Sequence, residues 1–174
     1  MMNDSGSGEF ERLVLPHLDA AYNLARWLTG NEADARDAVQ EACVRALKAI
    51  DGYRGGEAAC WLLAIVRNAC YTLMKRRGHV DELCGEDLVG EGDGPLAEAV
   101  RSAEAVSVRE AIEALPPEFR EVVILREMEG LSYKEIAAVA GVPVGTVMSR
   151  LARARARLQE RLAPEFAARD GGGR

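Results

Sequence analysis

Aromatic residues are scarce in this chain, at 5% of 174 positions, and no stretch alternates apolar and polar residues as a half-buried strand does. Ala, Leu, Glu and Arg dominate instead, and that mixture favours helices. No apolar run reaches the roughly 18 residues that span a bilayer. The opening, MMNDSGSGEF, lacks the basic n-region and apolar h-region of a secretion signal. Both absences point to the cytoplasm and to no direct membrane insertion. Cysteine and histidine are few and poorly spaced for chemistry. Cys43, Cys60, Cys70 and Cys84 form no CxxC pair, and His17 and His79 stand at no zinc-finger spacing from them. Cys43 and Cys70 fall in apolar helical stretches and read as small core residues. No metal, cofactor or disulfide is expected. No Ser-His-Asp or Cys-His arrangement and no phosphate-binding glycine loop is visible, so neither an enzyme nor a small-molecule substrate is expected.

Basic charge is also lacking overall, with a net −6, but the charge is segregated. Residues 81–105 hold eight acids (Asp81, Glu82, Glu86, Asp87, Glu91, Asp93, Glu98, Glu104) against Arg101 alone. That segment is −7, which leaves the remainder of the chain at +1. Within that remainder, Pro143–Leu162 sets Arg150, Arg153, Arg155, Arg157 and Arg161 against Glu160. A nucleic-acid surface is therefore compatible with the acidic total.

What is present in quantity is hydrophobic residue, 48%, at helical spacing. Phe10, Leu13, Val14, Leu18, Ala21, Ala25 and Leu28 mark a first helix, with Pro16 kinking or restarting it. Gly30 ends it and Asn31 caps a second helix to about Ile50, with Val39, Cys43, Ala46, Leu47 and Ile50 inward. Asp51–Gly56 is a loop by composition, and a third helix runs from Ala58 to about Arg77. A polar, Gly-rich stretch from Gly78 follows, closed by Pro95. Helical pattern resumes near Leu96 and stops at Pro116-Pro117, and another helix spans Glu118 to Glu129 before Gly130. The expectation is an all-α chain of two small helical domains. Residues 1–8 form a disordered N-terminus, 9–78 the first domain, 79–105 a flexible acidic linker, 106–163 the second domain and 164–174 a flexible tail.

The sharpest local signal is LSYKEIAAVAGVPVGTVMSRLARARARL, residues 131–158. Ser132 and Glu135 form a capping box for a short helix with Ile136, Ala137 and Ala140 inward. Gly141 supplies a turn, and Pro143 suits the opening of a second helix. Val144, Val147, Leu151, Ala154 and Leu158 make one buried stripe along it. At about 100° per residue, the opposite face carries Gly145, Ser149, Ala152, Arg153 and Ala156, flanked by Thr146, Arg150 and Arg157. An Arg-rich helix alone is most often a solvated face. Behind a short helix and a Gly turn, with a small outer face, it suits a helix-turn-helix whose second helix reads the major groove, where Arg reaches guanine edges and flanking cations reach phosphates.

Three segments in order, GNEADARDAVQEACVRALKAI (30–50), WLLAIVRNACYTLMKRR (61–77) and ALPPEFREVVILREMEGLSYKEIAAVAGVPVGTVMSRLARAR (114–155), resemble the extracytoplasmic-function (ECF) group of bacterial sigma factors. The resemblance covers Phe10 to about Leu162. It implies partners: core RNA polymerase, promoter DNA and an anti-sigma factor. It also implies that the face with Asp34, Asp37, Gln40 and Glu41 docks on the polymerase clamp, a role a carboxylate-rich helix suits when its partner is basic. Tyr53–Glu57 and the helix from Trp61 resemble the part that opens DNA at the −10 element, with Tyr53, Arg54, Arg67, Asn68, Lys75, Arg76 and Arg77 as DNA contacts. Trp61 reads better as a core anchor, and Arg67 and Asn68 divide between structural bracing and DNA contact. Thr146, Ser149, Arg150, Ala152, Arg153 and Arg157 would face the −35 element. The acidic linker is either a solvated spacer or a mimic of nucleic acid in the polymerase channel.

The chain departs from the family pattern at several points. Cys43 stands where an aromatic is common and Thr72 where Asp is frequent. The Tyr53–Trp61 stretch is short and lacks Phe, and Met148 and Ala152 replace larger or charged readers. The rival reading is a helix-turn-helix transcriptional regulator with an unrelated N-terminal sensor or partner-binding domain. That rival gives no account of residues 30–77.

Overall fold

A computed structural model describes residues 4–84 and 103–170, with side chains over 6–78 and 105–164. Most of the acidic linker expected at 79–105, the end of the expected tail and residues 1–3 lie outside the described residues. Every regular element among the described residues is helical. No single helix among them is long and apolar enough to cross a membrane.

The N-terminal half is built on four helices. α1 (Asp4–Val14) begins inside the stretch assigned to a disordered N-terminus, so residues 4–8 are helical. At Pro16 the chain tightens into one 3-10 turn, Leu15–His17, before α2 (Leu18–Thr29) restarts, because the proline has no N–H to continue the ladder. Gly30, at φ 79°, ends α2, its N–H bonding the Arg26 carbonyl at 3.1 Å. Asn31 then caps α3 (Glu32–Ala49), its side-chain oxygen accepting from the Asp34 N–H at 2.8 Å.

The buried face of α3 differs from the expected one. Ala35, Ala38, Ala42 and Ala46 are fully covered, while Val39, Cys43 and Leu47 sit half-buried at its border. Four alanines one turn apart bring the α3 backbone close to α2 and α4, and larger residues at those positions would hold it off. α4 (Ala58–Cys84) outruns its expected end near Arg77. Gly78 costs a helix only about 1 kcal/mol relative to Ala, too little to stop one already propagating.

In the C-terminal half, α5 (Ala103–Glu113) leads through Pro116 to α6 (Pro117–Val123). α6 passes directly into a single π-helical segment, Ile124–Met128, closed by Gly130 at φ 69°. α7 (Tyr133–Ala140) and α8 (Val144–Asp170) complete the chain. α8 continues through Pro164 into the stretch expected to be a flexible tail.

The two halves share one apolar cluster, in which Leu24, Leu28, Leu62 and Val66 join Phe119, Val122, Ile124 and Ile136. α2 packs on α6, and α4 packs on α7. Arg120 stitches the seam: Nη1 donates to the Trp27 carbonyl at 2.8 Å, and Nη2 to the Leu115 carbonyl at 2.8 Å. Asn23 Nδ2 donates to Glu129 Oε1 at 2.7 Å beside it. Full burial of one Leu contributes about 1.5–3 kcal/mol, so this shared core outweighs the polar stitching.

Candidate nucleic-acid interface

The helix-turn-helix forms as its residues dictate. Ser132 Oγ accepts from the Glu135 N–H at 3.2 Å, and Glu135 Oε2 accepts from the Ser132 N–H at 2.6 Å, so two orphan donors at the start of α7 are satisfied. Those Ser132 hydrogen bonds, backbone first, hold the Glu135 carboxyl below the ordinary glutamate range. Gly141, at φ 68°, ends α7, and the Pro143 carbonyl accepts from Thr146 and Val147 to open α8. The two helices turn through 99°, within the range of a DNA-binding helix pair.

Along α8, Val147, Leu151 and Ala154 are buried and Leu158 is half-buried. Val144, expected in the stripe, is exposed in the first turn of α8. Gly145, Ser149, Ala152, Arg153 and Ala156 all face solvent on the opposite side, joined by exposed Met148. Ser149 Oγ donates to the Thr146 carbonyl at 3.0 Å, so its hydrogen is engaged while its oxygen can still accept. Arg157 is exposed but anchored, its guanidinium 5.0 Å from the Phe119 ring centroid. Arg155 is drawn to Glu127 at 3.1 Å. Arg150 does not join the outer face. It turns inward to Glu121, 3.7 Å away.

The N-terminal candidates divide in the same manner. Lys75, Arg76, Asn68 and Arg54 are exposed. Tyr53 is half-buried, its hydroxyl donating to the Gly56 carbonyl at 2.6 Å, and its ring lies 5.1 Å from Trp61. Trp61 packs against the core from there, in keeping with an anchoring role. Arg67 is committed to structure: Nε donates to Glu121 Oε2 at 3.0 Å, and the guanidinium lies 4.1 Å over the Tyr71 ring. Burial pulls Arg67 down, but the bond and charge of Glu121 more than reverse this and raise it. Tyr71 is pushed up, by burial first and by Glu121 next.

On α3, Asp37, Gln40 and Glu41 are exposed. Glu41 holds Arg45 at 2.8 Å, one turn along the same helix. Asp34 departs from the expected solvent face. It is 3% exposed, accepts from Asn31 Nδ2 at 2.7 Å and pairs with Arg77 at 2.6 Å. Asp34 is the third residue of α3, so the capping Asn31 reaches it across the first turn, and Arg77 of α4 meets it from the neighbouring helix.

Sequence reasoning missed Glu121, which is fully buried and touches an arginine from each half. The signal was an acid set among the apolar residues Phe119, Val122 and Val123, where an unpaired carboxylate would be untenable. Among the described residues no group of three His, Cys, Asp or Glu gathers to hold a metal ion.

Comparison with known proteins matches both halves. Residues 13–80 match the family described as Sigma-70 region 2, and residues 105–158 the family described as Sigma-70, region 4. The ECF RNA polymerase sigma factor SigE of Mycolicibacterium smegmatis is 38% identical over 158 residues, covering 88% of this chain but only 62% of that protein. The RNA polymerase sigma-H factor of Pseudomonas aeruginosa is 35% identical over 168 residues, covering 89% and 86%. Among solved structures, the sigma factor RpoE from Bartonella quintana, crystallised with the anti-sigma factor NepR, aligns with a TM-score of 0.76 at 32% identity. That alignment covers 88% of this chain and 96% of that one.

Proposed function

Since this chain belongs to the ECF group of RNA polymerase sigma factors, we propose that it binds core RNA polymerase, directs it to promoters and assists in melting them. Its own chemistry ends there: it catalyses no reaction and acts in the cytoplasm, where polymerase and chromosome are. The observation that carries this reading is the exposed face of α8, Ser149, Ala152 and Arg153, held by a helix-turn-helix whose first helix is capped at both ends, behind a region 2 match. A two-domain regulator would share the first feature and lack the second.

In this reading Ser149, Ala152 and Arg153 approach base edges of the −35 element, while Thr146 and Arg157 lie nearer phosphates. Arg150 joins them once released from Glu121. Lys75 and Arg76 track the backbone near the −10 element, with Asn68 and Arg54 beside them. Tyr53 shapes the loop that faces the melted strand, and Arg67 reaches DNA only when Glu121 gives it up. Asp37, Gln40 and Glu41 dock on the polymerase, and Asp34 and Arg77 position that helix. The units 9–78 and 106–163 act as separate modules on the polymerase, joined by the acidic segment between them. An anti-sigma factor is the natural antagonist, a reading supported by the likeness to a sigma factor crystallised with one.

Gel filtration of the chain with purified core polymerase tests the docking. Co-elution is expected, and it should be lost when Asp37 and Glu41 are both changed to Lys. Separate elution of the unaltered chain would contradict the proposal.

A further inference from the structure

Seven large apolar side chains are exposed among the described residues, and of these only Val144 and Met148 stand one turn apart on the same helix. Val144 is 40% exposed and Met148 53%, both within the first two turns of α8. Single exposed apolar residues are ordinary and need no partner. A pair at i, i+4 is a continuous patch, because its Cβ atoms lie about 5–6 Å apart. The patch does not hold the helix-turn-helix together, since Val147, Leu151 and Ala154 fill the core side of α8.

Its surroundings say what it meets. At about 100° per residue, Met148 and Ala152 fall on one shoulder of the outer face and Arg157 on the other, with Ser149 between them. No acid stands between Pro143 and Gln159, whereas Arg153 and Arg157 stand there exposed, so charge complementarity asks for an anionic partner. Duplex DNA is a polyanion that also carries an apolar group on its major-groove edge, the thymine 5-methyl. Ser149 Oγ gives its hydrogen to the Thr146 carbonyl at 3.0 Å and has only an acceptor left for a ligand. An A·T pair offers the thymine methyl beside the adenine amino donor, which suits Met148 next to an acceptor-only Ser149. Opposite G·C, which shows no methyl, the same apolar patch would have nothing apolar to cover.

We propose that Val144 and Met148 are specificity-determining residues: they pack on thymine methyl groups in the major groove, so that the first two turns of α8 select A·T pairs. The inference rests on the −35-reading role of α8 proposed above. It adds an apolar component of base choice that the arginines do not supply.

The test uses polymerase holoenzyme and a promoter duplex recovered by run-off transcription, its −35 element synthesised with thymidine or with deoxyuridine at every T. Deoxyuridine pairs as thymidine does and lacks only the 5-methyl group. Fluorescence anisotropy at fixed salt compares the parent chain with Val144→Ala/Met148→Ala, whose two positions are exposed and leave the core intact. With the parent, removing the methyls should weaken binding about four- to fifteenfold, as burial of one or two such groups implies. With the double variant the two duplexes should bind within about twofold of each other, because the pair that senses the methyl is gone. Equal binding of the two duplexes by the parent overturns the proposal, and so does a deoxyuridine penalty that persists undiminished in the double variant. A −35 element without an A·T pair overturns it as well. Weaker holoenzyme assembly or lost self-association in the double variant, with the penalty intact, would place polymerase or a second copy on the patch and overturn it too. If no promoter is recovered, or the parent binds it no better than a duplex with a scrambled −35 element, the reading role of α8 itself fails and this proposal falls with it.

Discussion

Arg77 and Asp34 form an ion pair of 2.6 Å that fastens α4 to the first turn of α3, with the carboxylate buried and the guanidinium half-exposed. One stands in the stretch expected to meet DNA and the other in the stretch expected to meet polymerase, and each holds the other in place. Asp34→Ala leaves Asn31 Nδ2 and Arg77 without their acceptor, so we expect a stability loss of about 1–3 kcal/mol by urea titration. Asp37→Ala, on the exposed side, should stay within about 0.5 kcal/mol of the parent. Equal losses in the two variants would contradict the division of roles on α3.

The capping box gives a prediction with a pH sign. Ser132→Ala should destabilise the C-terminal half by about 1 kcal/mol. Glu135 has its carboxyl held low by Ser132, so its contribution is complete above the ordinary glutamate range and fades as pH falls through the depressed value. Thermal melts at neutral pH and in mild acid should therefore show the gap between parent and Glu135→Ala closing as pH drops. A gap that widens would contradict the sign.

In the proposed reading, Arg153 reads bases and Arg157 contacts phosphate. Arg153→Ala should cost about 1–3 kcal/mol on a matched −35 element and relax base preference there. Arg157→Ala should weaken binding to matched and scrambled DNA alike and flatten the salt dependence. It should also lose about 0.5–1 kcal/mol of stability, because the guanidinium stacks on Phe119. Equal losses on both duplexes for Arg153→Ala would put the reading face elsewhere.

Cys70 is buried, and burial pushes its thiol up to about 12. Native protein at pH 8 should leave it unmodified by iodoacetamide while unfolded protein is alkylated, as peptide mass mapping would read. Rapid native labelling at Cys70 would place that thiol outside the core.

The helices, their caps and the helix-turn-helix were legible because each rests on local chemistry: Asn31, Ser132 with Glu135, Gly30 and Gly141 act within one turn of themselves. The outer face of α8 was legible too, since a period of 3.6 fixes both sides of a helix once one is known. The α3 face was misjudged because periodicity favours large apolar residues, and close backbone approach selects Ala35, Ala38 and Ala42 instead. Asp34, Arg67 and Arg150 read as surface charges because their partners lie 43, 54 and 29 positions away in sequence. Only the packing of α3, α4, α6 and α8 brings those partners to them.

The central claim is promoter-directed initiation, and run-off transcription tests it most directly. Core polymerase is incubated with this chain on a library of fragments from the source genome, and again without it. Discrete transcripts that require the chain are expected, and they should disappear when Asp37 and Glu41 are replaced by Lys. A library that yields no transcript dependent on the chain would contradict the proposal.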